Sequence, residues 1–235
     1  MSRVLVEHLK IFKQLMKPLL FLLLGLVSLV EATLPKGFDY ITERIPSIEL
    51  DMKYCGEENF VGAYIDGYLA PKAILSSRAI TSLAKVQKEL NDFGLGLKIF
   101  DAYRPQKAVD HFVRWGHDLS DKMMKESYYP MVLKRDLFRD GYIAKHSGHS
   151  RGSTIDLTII DLATKVELDM GSSFDFFGKS SWVRYAKITA EQKANRMLLN
   201  ILMLKYGFKD YDQEWWHFTL KNEPYKKTYF NFDVK

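Results

Sequence analysis

The sequence predicts an α+β domain in which a central antiparallel sheet carries the functional residues and the helices pack away from that face. Three observations point there. From Ser76 to Phe93 apolar residues recur at Ala79, Leu83, Val86 and Leu90, the spacing of one helical face, and Gly94 closes the run. From Thr189 to Tyr206 a second helix is expected, because Thr189 and Gln192 have capping-box spacing and Gly207 stands where a C-terminal cap belongs. Between them, Ser153 to Ile160 is rich in β-branched residues and alternates in character, as a strand does.

The first 32 residues stand apart from this domain. Lys10, Lys13 and Lys17 precede an apolar run, Pro18 to Val30, which falls short of the ~20 residues that span a bilayer comfortably. Glu31 and Ala32 follow, with a small residue where a signal peptidase cuts, so residues 1–32 read as a secretory signal peptide and 33–235 as one domain. The stretch ahead of the run is long for a signal, and a start at Met16 gives a compact one. An uncleaved amphipathic anchor is the plainer alternative.

Within the domain, Ile48, Leu50, Met52 and Tyr54 alternate onto one face of an expected strand, which leads into a loop from Cys55 to Gly62. The helix from Ser76 is followed by a short strand, Leu97 to Phe100, and then by Asp101-Ala-Tyr-Arg104-Pro105. Pro105 suits the first turn of a helix running to about His117. Residues 118–146 are polar and irregular, with a turn at Asp140-Gly141. The strand from Ser153 places Asp156, Thr158 and Ile160 on one face and Ile155, Leu157 and Ile159 on the other. Residues 169–187, rich in Gly and Ser at their start, form a loop, and Glu214 to Leu220 returns as the last strand.

Of the 235 residues, 47% are hydrophobic and 27% charged, the balance of a folded globular chain rather than a disordered one. Without residues 1–32, which hold four basic and two acidic groups, 30 basic residues face 27 acidic ones, and the net charge falls from +5 to +3. Such mixed charge argues against a polyanion partner. The late aromatics, Trp215, Trp216, Phe218, Tyr225, Tyr229, Phe230 and Phe232, read as core and edge packing, so no nucleic acid is expected, nor a membrane after signal cleavage. Oligomeric state is left open. Cys55 is the single cysteine, which excludes an intrachain disulfide, and it reads as a small buried hydrophobe rather than a metal ligand.

Two short motifs carry the chemistry: Ser147-Gly-His149-Ser-Arg-Gly152-Ser-Thr-Ile-Asp156 and Glu214-Trp-Trp-His217. They supply two imidazoles and a carboxylate, a three-ligand zinc set that leaves the fourth position open, as catalytic sites require. Gly152 lets the chain turn sharply, so that a loop-borne His149 meets a strand-borne Asp156. Glu214 would face away from His217 on an unbroken strand. It is therefore placed in the turn before the strand, as a general base that does not bind the metal. Each motif alone is weak evidence; their joint presence with only five histidines after residue 32 is what points to a metal centre. His111 and His117 read as solvated or capping groups on a helix, and His146, just before the motif, as a group supporting the ligands, with a rival ligand as the alternative. Arg104, held on a rigid turn by Pro105, is the candidate for stabilising an oxyanion, with an ordinary surface arginine as the alternative.

These residues, taken in order, closely resemble the VanX-like D-alanyl-D-alanine dipeptidases, zinc peptidases of the superfamily that includes the D-Ala-D-Ala carboxypeptidases and the hedgehog signalling domain. The resemblance runs from Asp51-Met-Lys-Tyr54 with Asn59-Phe60, through Asp101 to Pro105, to Ser147, His149, Asp156, Met170 to Asp175, and Glu214 with His217. It implies one Zn(2+) per chain on His149, Asp156 and His217, with Glu214 as general base and Arg104 as transition-state stabiliser. It also implies a closed pocket for a zwitterionic dipeptide, with Ser147 and Tyr54 at the substrate carboxylate, Asp175 near its ammonium and Tyr142 close by. The implied activity is hydrolysis of D-Ala-D-Ala; a D,D-carboxypeptidase and a non-catalytic zinc-containing binding module are the alternatives. One departure is Thr154, where the wider superfamily commonly has Ala. The signal peptide is another, since close relatives often act in the cytoplasm. A periplasmic or secreted enzyme fits recycling of D-Ala from wall fragments better than antibiotic resistance.

Overall fold

In the computed structural model, which describes residues 33–235, the five-stranded sheet runs in the order β2-β4-β5-β7-β6, with β2 as Glu49–Leu50, β4 as Leu95–Asp101, β5 as Thr154–Asp161, β6 as Phe208–Tyr211 and β7 as Glu214–Leu220. The segment read as a signal peptide lies outside the described residues. Every pairing in the sheet is antiparallel except β2 with β4 at one edge. A separate antiparallel pair joins β1 (Phe38–Tyr40) to β3 (Ile74–Ser76). The helices are α1 (Ile41–Arg44), α2 (Ser77–Asn91), α3 (Gln106–His117), α4 (Lys125–Tyr128) and α5 (Ala190–Lys205). None of the described helices is long and apolar enough to cross a membrane.

The long helices start and stop where their side chains dictate. Ser76 caps α2 by accepting the Ala79 amide, and the helix buries Ala79, Ile80, Leu83, Val86 and Leu90 on one face. At α5 the capping box is complete: Thr189 Oγ1 accepts from the Gln192 amide at 3.1 Å, and Gln192 Oε1 accepts from the Thr189 amide at 2.9 Å. A cap of this kind contributes about 1 kcal/mol. Both helices pack on the sheet, and neither lines the cavity into which Asp156 and His217 project. Helix α3, which begins directly after Pro105, instead borders that cavity through Val109 and Phe112.

The expected strand from Ile48 to Tyr54 is the main local correction. Only Glu49–Leu50 pair with β4, in parallel, with Asp51 adding one further bond to the Ile99 carbonyl. The chain then coils into a 3-10 turn at Lys53–Cys55, which buries the Tyr54 ring among Phe60, Tyr68, Phe112 and Phe174. Burying a large side chain is worth about 1.5–3 kcal/mol, against about 1 kcal/mol net for each ladder bond forgone. The aromatic cluster wins. Cys55, at the end of that turn, is half-buried rather than buried. Strands β1, β3 and β6 are three or four residues long, too short to show a period in the sequence.

Candidate active site

The site is laid across three neighbouring strands by register. Asp101 at the end of β4 pairs with Asp156 of β5, and Asp156 pairs with His217 of β7. Residues directly opposite on adjacent antiparallel strands project to the same face. His149 reaches the same point from the 3-10 turn Gly148–Arg151, which Ser147 caps by accepting the His149 amide. Gly152 ends this turn at φ +76°, a conformation that disfavours any side chain, and a Cβ there would also collide with the Phe38 ring. The sharp turn expected at Gly152 is thus present. Thr154, the departure from the superfamily pattern, is fully buried, and its hydroxyl pairs with that of Thr219 across β5 and β7 at 2.9 Å.

His149, Asp156 and His217 converge as a set of electron-pair donors. His149 Nε2 lies 3.3 Å from Asp156 Oδ2 and 3.3 Å from His217 Nδ1, and His217 Nδ1 lies 3.1 Å from Asp156 Oδ1. The ring of His149 donates from Nδ1 to the Ala102 carbonyl at 2.7 Å, which fixes the ring so that Nε2 is the nitrogen facing Asp156 and His217. Asp156 Oδ1 is buried, and its polar contact is the 3.1 Å approach of His217 Nδ1. Burial pushes the Asp156 carboxyl up, but the two imidazoles more than offset this and hold it well below the usual range. Burial likewise pulls His217 down, yet Asp156 and Glu214 push it up to about 9. Two imidazole nitrogens and a carboxylate crowded together in a buried site, sharing protons that a cation would displace, fit a metal ion of N/O preference such as zinc.

Glu214 is not in a turn before the strand, as expected, but is the first residue of β7. The strand is not regular there. Asp210 pairs with Phe218 while the next residue, Tyr211, pairs with Glu214, so Trp215 to His217 have no direct partner on β6. The irregularity breaks the alternation that would have pointed Glu214 away, and its Oε2 comes to 3.2 Å from His217 Nδ1. Arg104 is no surface arginine. Its Nε donates to buried Asp101 at 2.9 Å, one terminal nitrogen is 3.5 Å from Asp156, and its guanidinium lies over the rings of Tyr54 and Phe112 at 5.0 and 5.2 Å.

His149, Asp156, His217, Glu214 and Arg104 line one cavity of about 270 Å³, close to the small end of ligand pockets. Ser147, Tyr54, Asp175 and Tyr142 line it too. Tyr54, expected at the substrate carboxylate, gives its hydroxyl proton to Asp175 Oδ2 at 2.7 Å, so it orients that carboxylate instead. Asp175 sits at φ +57° and is buried. Burial, with Asp156 and Glu214 adding, pushes its carboxyl well up against the opposing effects of Tyr54 and Arg104. Tyr142 stacks on Phe177 with ring centres 5.0 Å apart. Of the other histidines, His146 lines the cavity but is exposed and tilts on Tyr229, His111 accepts the Asp66 amide, and His117 stacks on Phe138.

A family model described as D-ala-D-ala dipeptidase (peptidase family M15) matches residues 36–235. The chain belongs to this family. A D-alanyl-D-alanine dipeptidase of Streptomyces coelicolor is 39% identical over 84% of this chain and 98% of its own length. One of Enterococcus faecalis is 40% identical over the same shares. One of Escherichia coli is 34% identical over 74% of this chain and 80% of its own.

In this member of the family two site residues escape the sequence reading. Asp101 holds Arg104, lies 3.4 Å from His149 Nδ1 and accepts from Tyr68 at 2.6 Å. A carboxylate three residues before Arg104 at a strand end was a signal for it. Tyr68 had none, because its place is set by a bridge to Val234 near the C-terminus.

Proposed function

We propose that this chain hydrolyses D-Ala-D-Ala to two D-alanines, using one zinc ion per chain held by His149, Asp156 and His217. The observation that carries the reading is the convergence of these three ligands in a small cavity that also presents Glu214 and Arg104. Zinc in such a site polarises a carbonyl and acidifies water. Glu214 takes a proton from the attacking water and returns it to the leaving amine. Arg104, immobilised by Asp101 and the two aromatic rings, stabilises the oxyanion that develops. The Ser147 hydroxyl binds the substrate carboxylate. Asp175, a buried carboxylate whose hydrogen-bond partner Tyr54 is neutral, receives the ammonium, with Tyr142 beside it.

The names of relatives near 40% identity support a dipeptide over the longer wall peptides of a D,D-carboxypeptidase. A binding module that merely held zinc would need neither Glu214 nor Arg104. The deciding measurement is turnover of D-Ala-D-Ala beside its N-acetylated form, with and without a chelator. The free dipeptide is expected to react at least about 10²-fold faster, since a site built around a polar group of the substrate rejects analogues lacking it. Equal rates on both forms reject the dipeptidase reading, and a chelator-insensitive rate rejects the metal.

Export belongs to the same proposal. The lysines ahead of the apolar run and the small residue Ala32 support cleavage near residue 32 and a periplasmic or secreted enzyme that recycles D-alanine from wall fragments. N-terminal sequencing of the protein recovered outside the cytoplasm should begin near residue 33; an intact N-terminus on cytoplasmic protein rejects export.

A further inference from the structure

We propose that Arg196, which lies on α5 outside the catalytic cavity, is a positioning residue that fixes both ends of the loop presenting Asp175. The inference rests on the reading of Asp175 as the acceptor of the substrate ammonium.

The loop has little regular structure of its own. Between Met170 and Trp182 the sole helical piece is the 3-10 turn Lys179–Ser181, so its position must come from outside. Arg196 is buried, and its guanidinium donates to three backbone carbonyls: Met170 from Nε at 2.5 Å, Trp182 from Nη1 at 3.0 Å and Ser180 from Nη2 at 2.7 Å. One of these carbonyls precedes Asp175 and two follow it. A planar fork of fixed geometry therefore ties together the two ends of the segment. Helix α5 adds to the grip through Gln192, one turn earlier, and Asn195, the preceding residue, which hold Asp169 by its carboxylate and its carbonyl.

Inside the clasp the loop is cross-tied. Ser181 donates to the Phe176 carbonyl at 2.6 Å, its hydroxyl lies 3.1 Å from that of Ser172, and Ser172 accepts from the indole of Trp215 at 2.9 Å. Trp215 follows Glu214 directly, so the same network links the ammonium end of the site to the strand that carries the base. Asp175 itself has a positive φ, which costs a non-glycine residue energy and persists only where the surroundings over-determine it. Burial pulls Arg196 down to about 10, with Asp169 opposing, so it remains a cation at neutral pH. An apolar residue of similar volume would avoid desolvating the guanidinium but would leave the carbonyls of Met170, Ser180 and Trp182 without these donors. What an apolar residue could not do is hold the loop.

The test is a double-mutant cycle of Arg196→Lys with Asp175→Asn, read on D-Ala-D-Ala and its N-acetylated form, with metal content measured in each protein. Arg196→Lys keeps the charge and loses the fork. It should raise KM for the free dipeptide about 10-fold, part of the roughly 10²-fold that a 1 Å misplacement can cost, with a smaller change in kcat and none in zinc content. In the Asp175→Asn background the same substitution should change KM by less than about two-fold, because the two residues act through one loop. Equal losses in both backgrounds, or equal losses on both substrates, overturn the proposal. Arg196→Gln, which keeps a donor and no charge, runs the same cycle should the lysine variant fold poorly. Amide exchange supplies a readout apart from turnover: residues 171–181 should exchange faster in Arg196→Lys while α5 keeps its protection. Unchanged exchange there overturns the role of Arg196. An inactive wild type would instead overturn the functional reading and leave exchange to decide this one.

Discussion

Replacing Glu214 by glutamine is expected to lower kcat by about 10²–10⁴-fold, the range for a lost general base, while the protein keeps its metal. The amide matches the carboxylate in size but cannot take up a proton. Glu214 lines the cavity with its side chain only 18% exposed, and its Oε2 stands 3.2 Å from His217 Nδ1, close to the ligand cluster without belonging to it. A base used in the transition state should show its loss mainly in kcat, with KM little changed. Metal analysis beside steady-state kinetics separates the possible roles. Loss of zinc in Glu214→Gln would make the residue a ligand, and an unchanged kcat would remove it from the mechanism.

His149→Ala should abolish both zinc binding and activity, and His217→Ala should do the same. The imidazole of His149 is held from behind by the Ala102 carbonyl, with Asp101 at 3.4 Å, and meets Asp156 and His217 through its other nitrogen. Removing an outer partner of a metal ligand costs about 10–100-fold in affinity, and removing the ligand itself costs more. The loss also strips Asp156 of the imidazole that does most to keep it ionised, and leaves a buried carboxylate poorly compensated. Competition against a chromogenic chelator measures the affinity directly. Stoichiometric zinc bound with wild-type affinity in either variant would show the ligand set to be wrong.

Local chemistry explains how much could be read from the chain alone. The capping box of α5, the apolar stripe of α2 and the turn at Gly152 each depend on residues within a turn or two of one another, and each is found in the structure. The three candidate ligands could be named because imidazoles are scarce here and two of them sit in short motifs with carboxylates. The strand expected through Tyr54 failed for a non-local reason, since rings from distant segments draw that side chain into a common cluster. The strand from Glu214 to Leu220 is found as expected, but that Glu214 faces His217 from within it is a matter of how β6 pairs with β7, which no stretch of sequence shows.

The sequence by itself determined the fold class, the long helices with their ends, and which side chains could hold a metal. Only the tertiary structure decided that Asp101, Asp156 and His217 stand in one row across three strands, that the Tyr54 hydroxyl belongs to Asp175, and that Arg196 clasps the loop between. Strand register and buried hydrogen bonds are settled by contacts between segments far apart in the chain, and their energies appear in no single window of residues.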